Sequence, residues 1–544
     1  MNKKVLIIAA FAGLVLGTSC NKDSLQLVNP NQPTPALSLK SESGISNFAL
    51  GIINKQLGNV VNAGVVNLKA VADAHHSIMG DEQFSPYGNW GMRWSNQVYK
   101  VTLPNGTVVT NPFGVTQKES IQGFNSRSAG DRNVFQYEWA FCYFYIAQAN
   151  ILLDAVDKPD LVLSGDAATK KGLLKAWALW WKGYAYSRLG SIYIAGVIND
   201  NANGTTSSTY VNSAALITEA NKNLDAASTI LASLTANDDY KALYSAITPS
   251  YNDPASVVTP AMWVRQINTM KARNLLVNKK VSAMTTSDWN TILTLTANGV
   301  QKGDKIFQQG MTEDGNNDVV GAFFHPYVLI GTFTEFLFVS ERLIQEYKPG
   351  DERLDRNFYE NPDPYPANIR SRGLQFGTRW AVNNVEDGGE FATNVNVGLV
   401  PIAGSYEENA LMRAEAYIRT NQVEQGLQLV DEVRDFQGAN LDPVAGTSLT
   451  QAQAIEELRR ERRVALFMRG LAFYDARRWG VTAPVAQGGG RANAVVYLPA
   501  SLVGGSSDAV RNCFMEYNYM DYFDVPLNEV DFNAPAAGSA PIKN

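Results

Sequence analysis

Cysteine and histidine are scarce, with three of each in 544 residues. A disulfide scaffold needs a dense, even set of cysteines, and a zinc site needs several Cys or His ligands, so neither organises this chain. Excess positive charge is missing too. Lys and Arg total 46 against 52 Asp and Glu, a formal net charge of −6, which leaves no basic surplus for a nucleic-acid partner. The most apolar internal run, Trp139 to Ala147, is flanked by Glu138 and Gln148 and is about half the ~20 residues that a helical membrane span requires. Catalytic signatures are absent as well: no G-x-S-x-G, H-E-x-x-H or G-x-x-x-x-G-K-[ST] occurs. His75 and His76 are adjacent and cannot both face one metal from one helix face. His325 precedes Pro326 in an apolar stretch. Asp314, Asn316 and Asp318 alternate like the start of a calcium loop, but Val319 and His325 stand where Gly and Glu are needed. No metal or other cofactor is therefore expected, and no carboxylate pair stands out for glycoside hydrolysis.

What is present is apolar and aromatic: 45% hydrophobic residues, with 10 Trp, 23 Tyr and 23 Phe. Such a chain buries a substantial core. Lys3 and Lys4 precede a short apolar stretch from Val5 to Leu16, closed by Gly17, Thr18, Ser19 and Cys20. This pattern reads as a lipoprotein signal over 1–19, with Cys20 the lipid-bearing residue and the only membrane attachment. Pro30, Pro33 and Pro35 mark 20–42 as an extended tether. The remainder, 43–544, reads as one body, with an N-terminal half over 43–260 and a C-terminal half over 261–544 that carries a loop-rich lobe.

Helical periodicity dominates that body. Ile45, Phe48, Ala49 and Ile52 form one stripe, and Trp289, Ile292, Leu293 and Thr296 another, stopped by Asn298-Gly299. Segments 134–156 and 173–195 are apolar nearly all round, as for helices buried on several sides; Trp177, Trp180 and Trp181 then belong to the core. Over 407–436, Ala410, Leu411, Ala414, Tyr417 and Ile418 make one stripe and Val423, Gly426, Leu427, Val430 and Val433 the next, across a turn at Asn421. Small residues at Ala414 and Gly426 allow close approach, as in a degenerate tetratricopeptide unit. The expectation is an all-α fold of stacked helix hairpins. Between the helices, 80–130, 199–212, 301–322, 360–405 and 481–544 show little periodicity and read as long loops. Seven arginines over 456–479 are interleaved with Glu456, Glu457, Glu461 and Asp475, a pattern for ion pairs at i, i+3 and i+4 along a helix. Cys142 and Cys513 are left open between a disulfide and two buried thiols.

Several blocks, in order along nearly the whole chain, resemble the SusD/RagB family of outer-membrane nutrient-uptake lipoproteins. They are NPNQPT at 29–34, WAFCYFYIAQAN at 139–150, KARNLLVNKK at 271–280, YEENALMRAEAYIR at 406–419, ERRVALFMRGLAFYDARRWG at 461–480 and YMDYFDVPLNEVDFN at 519–533. Ala465, Arg469 and Ala472 depart from the pattern, which bears on how the arginines pair. The resemblance implies a SusD-like all-α fold of tetratricopeptide-like hairpins with a loop-rich second lobe. It implies a non-enzymatic surface protein of the outer membrane, anchored by lipid and facing the exterior. Such a protein binds an oligosaccharide or peptide and delivers it to a SusC-like TonB-dependent barrel transporter. Two other classes compete: a protein-interaction scaffold of the envelope, and a secreted glycan hydrolase.

The candidate ligand surface is the stretch FSPYGNWGMRWSNQVY at 84–99. Sugars are held by flat rings beneath their C–H faces and by amides that hydrogen-bond their hydroxyls. Tyr87, Trp90 and Trp94 supply rings there, and Asn89 and Asn96 supply amides. The competing reading makes these rings plugs of the scaffold.

Overall fold

A computed structural model describes residues 38–54, 58–61, 64–248, 257–311, 337–365, 374, 376–383, 392–394, 397–500 and 506–539. The signal and Cys20, the tether up to residue 37, the Asp314–Asp318 alternation and His325 lie outside the described residues.

Twelve of the helices carry the architecture: α1 (Glu42–Asn54), α2 (Leu68–Met79), α3 (Phe135–Val156), α4 (Ala167–Ile192), α5 (Ser213–Leu231), α6 (Asp238–Ile247), α7 (Pro260–Val277), α8 (Thr286–Ala297), α9 (Tyr406–Arg419), α10 (Val423–Phe436), α11 (Gln451–Ala465) and α12 (Ala472–Arg478). Their starts follow from local chemistry. Asp166, Asn212, Thr259, Ser405 and Thr450 each accept a backbone N–H of the first turn, and Thr285 and Asp288 close a reciprocal capping box.

Neighbours in the chain are neighbours in space. α3 packs on α4, α4 on α5, α5 on α7, α7 on α8, α8 on α9, and α9 on α10 and α11, while α12 returns to α2. The result is the expected ladder of hairpins. α9 and α10 sit where the stripes placed them, with Asn421 at φ 63° in the turn. Gly426 is required there: a Cβ would fall 2.4 Å from Ile418 Cγ1 and 2.8 Å from the Ala414 carbonyl oxygen. α3 is long and apolar enough to cross a membrane, yet Cys142, Ile146, Ala149 and Leu152 are fully buried against other helices. In α4, Trp177, Trp180 and Trp181 lie in the core beside Trp263 and Phe307, and Trp177 donates its indole N–H to the Ala49 carbonyl at 2.9 Å. Cys142 and Cys513 are both free and buried.

The stretches read as long loops carry more structure than expected. Strands β1 (Lys100–Thr102), β2 (Val108–Thr110), β3 (Arg491–Leu498) and β4 (Ala509–Glu516) form an antiparallel sheet in the order β3-β4-β1-β2. Its central register aligns Phe514 with Thr102 and Glu516 with Lys100, whose side chains pair at 2.7 Å. The sheet thus joins segments from both halves of the body.

The arginine block forms an ion-pair network, but its pairs run mainly between elements. Arg462 reaches Asp475 at 2.8 Å, and Arg478 joins Asp475 at 2.7 Å to Glu415 at 2.6 Å. Arg434 and Arg353 meet on Glu461 at 2.8 and 2.6 Å. Of the expected helical spacings, Arg459–Glu456 and Arg478–Asp475 are present. The reason is burial: Arg462, Glu461 and Glu415 face the interior, where a charge needs the nearest opposite charge, whichever helix supplies it. Burial alone would push Glu415 up, yet the Arg478 guanidinium holds its carboxyl down at about 2.

Candidate functional site

The aromatic stretch begins where α2 stops. Gly80 is followed by Asp81 at φ 58°, and the two-residue strand Gln83–Phe84 pairs with Phe338–Val339. Beyond Pro86 the chain makes a tight turn, with Trp90 at φ 52° and Gly91 at φ 74°, and enters the single-turn helix Met92–Ser95. A bulky residue in the left-handed region is a genuine outlier. Gly91 has no such latitude: a Cβ would stand 2.4 Å from Val134 Cγ1 and 2.8 Å from the Arg132 carbonyl oxygen.

His75 pins the turn from behind. Its Nε2 lies 3.0 Å from the Trp90 carbonyl oxygen and its Nδ1 2.8 Å from Ser95 Oγ. A carbonyl only accepts, so Nε2 carries the proton and Nδ1 accepts from the serine hydroxyl. Burial pushes the His75 imidazole down to about 4, which keeps this neutral tautomer at pH 7. His76 turns elsewhere, with Nε2 2.6 Å from Glu138 Oε2. Among the described residues, no group of three or more His, Cys, Asp or Glu could hold a metal ion.

The five candidates separate by exposure. Asn89 is exposed, Tyr87, Trp90 and Trp94 are half-buried, and Asn96 is buried. Asn96 donates its amide to the Ser85 carbonyl at 3.2 Å, so its N–H serves the turn. The Trp94 ring lies 4.8 Å from Phe124 and 6.0 Å from the exposed Phe113, centroid to centroid, with the Arg93 guanidinium 3.8 Å above it. Arg132 covers Phe124 in turn, at 4.9 Å. Cations over ring faces are attracted by the ring quadrupole, so the fold builds a cluster of Arg93, Trp94, Phe124 and Arg132, with the two rings tilted by 40°. Phe113, Phe124 and the two arginines were not picked out from the sequence. Their neighbourhood with Trp94 comes from the fold of 100–132, which no periodicity announces. Chemically, the surface offers ring faces, an exposed amide and guanidinium groups.

Residues 406–536 match the family model described as SusD family. No curated protein matches the chain. Among solved structures, a SusD-like carbohydrate-binding protein from Bacteroides fragilis superposes with TM-score 0.59 at 14% identity, covering 91% of this chain and 98% of that one. A second SusD-like protein from the same organism gives 0.56 at 14%, covering 92% and 98%. A structure determined with xylogluco-oligosaccharide gives 0.52 at 13%, covering 92% and 99%. At such identities the likeness is one of fold. That fold defines a mostly helical SusD-like protein. The C-terminal segment 406–536 is thus similar to the SusD family, and the chain as a whole has a SusD-like fold.

Proposed function

We propose that the protein is a surface glycan-binding lipoprotein, anchored through Cys20 to the outer membrane and facing the exterior, that passes an oligosaccharide to a TonB-dependent barrel transporter. The observation that carries the binding role is the aromatic turn, where His75 fixes the Trp90 carbonyl and the half-buried Tyr87, Trp90 and Trp94 stand beside exposed Asn89 and Phe113. Rings and an amide on a rigid support suit a saccharide better than flexible loops do, because little ordering is left for the ligand to impose. The structural neighbours whose names speak of carbohydrate binding or a xylogluco-oligosaccharide support the same reading. Tether, lipid and transporter rest on the lipobox-like GTSC and on the resemblance to the family.

The test is calorimetry and product analysis of the intact protein with a panel of xyloglucan and other neutral oligosaccharides. Saturable binding without new reducing ends is expected. Turnover would assign an enzyme, and protein co-purification without any saccharide affinity would assign a scaffold. For the anchor, Cys20→Ala should release the protein from the membrane fraction; quantitative retention would overturn lipidation as what holds it.

A further inference from the structure

A cleft of about 250 Å³ lies between α11, α12, the turn after the short helix Glu341–Ile344 and the start of β3; Glu346, Arg459, Arg463, Trp479, Arg491 and Ala492 are among its walls. Three arginines converge on one buried carboxylate. Glu346 accepts from Arg459 at 2.9 and 2.8 Å and from Arg491 at 3.0 Å, and stands 3.5 Å from Arg463 Nε. Arg459 has a second partner in Glu456 at the rim. Arg463 places its terminal nitrogens on the carbonyls of Gly80 and Asp81, at 2.9 and 3.0 Å, which carry no charge.

The charges behind the wall do not restore the balance. Asp81 is taken by Arg342 at 2.8 Å, and Asp475 by Arg462 and Arg478. Among the described residues, Arg342, Arg459, Arg463 and Arg491 therefore pair only with Asp81, Glu346 and Glu456 as ionised carboxylates. Glu82 is the remaining acid nearby, and burial pushes its carboxyl up to about 7, so at neutral pH it supplies a fraction of a charge. The Nε groups of Arg463 and Arg491 are buried and, among the described residues, have no hydrogen-bond acceptor. Surplus guanidinium charge on the wall of a cleft is the arrangement that binds a carboxylate or sulfate through charge-assisted hydrogen bonds.

The geometry points to an oxyanion site: the cleft takes a carboxylate or sulfate group, held by Arg459, Arg463 and Arg491, with Trp479 as an apolar wall. The shared chemistry is the acid group, whether borne on a saccharide such as a uronic acid or free in solution. The cleft's lining shares no residue with the aromatic stretch 84–99, and the site does not depend on that surface's ligand.

The experiment is calorimetric titration of the intact protein with sodium glucuronate, sodium sulfate and glucose, at ionic strength held constant with chloride. Binding of an anion and not of glucose is expected. Glucuronate without sulfate assigns the site to saccharide-borne acids, and sulfate without glucuronate to inorganic ions. Ala492→Glu sets a tethered carboxylate at the exposed rim, and Arg459→Gln removes one donor. Each should weaken anion binding at least tenfold, and an unchanged melting temperature in Ala492→Glu separates this loss from misfolding. No binding of either anion, equal binding of glucose, or anion affinity unaltered in both variants would overturn the site.

Discussion

His75 donates through Nε2 to the carbonyl oxygen of Trp90, 3.0 Å away and fifteen residues on. One buried imidazole thereby holds the one bulky aromatic in the turn whose backbone is left-handed. The hydrogen bond links helix α2, which is core, to the turn that carries the half-buried Trp90 ring.

The first prediction concerns pH. His75 in the folded protein titrates near 4, against 6.5 for an ordinary histidine, because burial disfavours its charged form. The unfolded chain therefore takes up a proton below pH 6.5 that the folded one refuses. Stability falls as pH drops from about 6.5 to 4 and levels off below, by at most about 3 kcal/mol. In His75→Gln this contribution should vanish, so the difference in unfolding free energy between variant and wild type should shrink by about that amount between pH 7 and pH 4. A constant difference across the range would show that His75 titrates normally.

Glu82 runs the other way. Burial raises its carboxyl from 4.5 to about 7, despite hydrogen bonds to Oε2 from Ser77 and the Met468 N–H. The folded state keeps a proton that the unfolded state releases, so stability is full below pH 4.5 and is lost as pH rises to 7. Glu82→Gln mimics the protonated form and should be more stable than wild type at pH 8 by up to about 3 kcal/mol, with little difference at pH 4.5. Denaturant midpoints at the two pH values check this, and equal offsets at both would refute it.

Gly426→Ala sets two effects against each other. In an ordinary helix interior this exchange stabilises by about 1 kcal/mol. Here the new methyl would stand 2.4 Å from Ile418 Cγ1 and 2.8 Å from the Ala414 carbonyl oxygen, and a helical backbone carbonyl does not yield. Overpacking costs about 1–3 kcal/mol, so the net result should be a loss of up to about 2 kcal/mol. A urea midpoint equal to or above wild type would mean that α9 and α10 can move apart.

Much of the helical ladder was legible because burial on one face writes a 3.6-residue stripe into the sequence, as at Leu411, Ala414 and Ile418. The four-stranded sheet was not. β3 and β4 are eight residues each, and β4 finds its next partner, β1, some four hundred residues earlier in the chain. No local pattern encodes that pairing. The arginine block was legible as ion pairs but not as to partners: Arg459 finds Glu346, and Arg463 finds the Gly80 carbonyl. At the aromatic turn the ring residues were legible as types. What decided their exposure was not: Asn96 is drawn in by the Ser85 carbonyl, and Trp94 is roofed by Arg93 and flanked by Phe124.

The final prediction separates Trp90 from Trp94. Trp94 is held between a guanidinium and Phe124, so Trp94→Ala should cost both stability and affinity. Trp90 sits at φ 52°, a conformation that costs a non-glycine residue about 1–2 kcal/mol. Trp90→Gly removes the ring and relieves that backbone cost, whereas Trp90→Ala removes the ring and keeps the cost. If the Trp90 ring stacks on a saccharide, both variants should lose about fivefold in affinity, since one aromatic contact contributes about 1 kcal/mol. Trp90→Gly should nonetheless melt higher than Trp90→Ala. If the ring serves mainly as a plug, both variants should lose several kcal/mol of stability and bind ligand normally once folded. Melting temperatures with a neutral oligosaccharide titration on the two variants decide the matter. Unchanged affinity in both would remove Trp90 from the ligand surface.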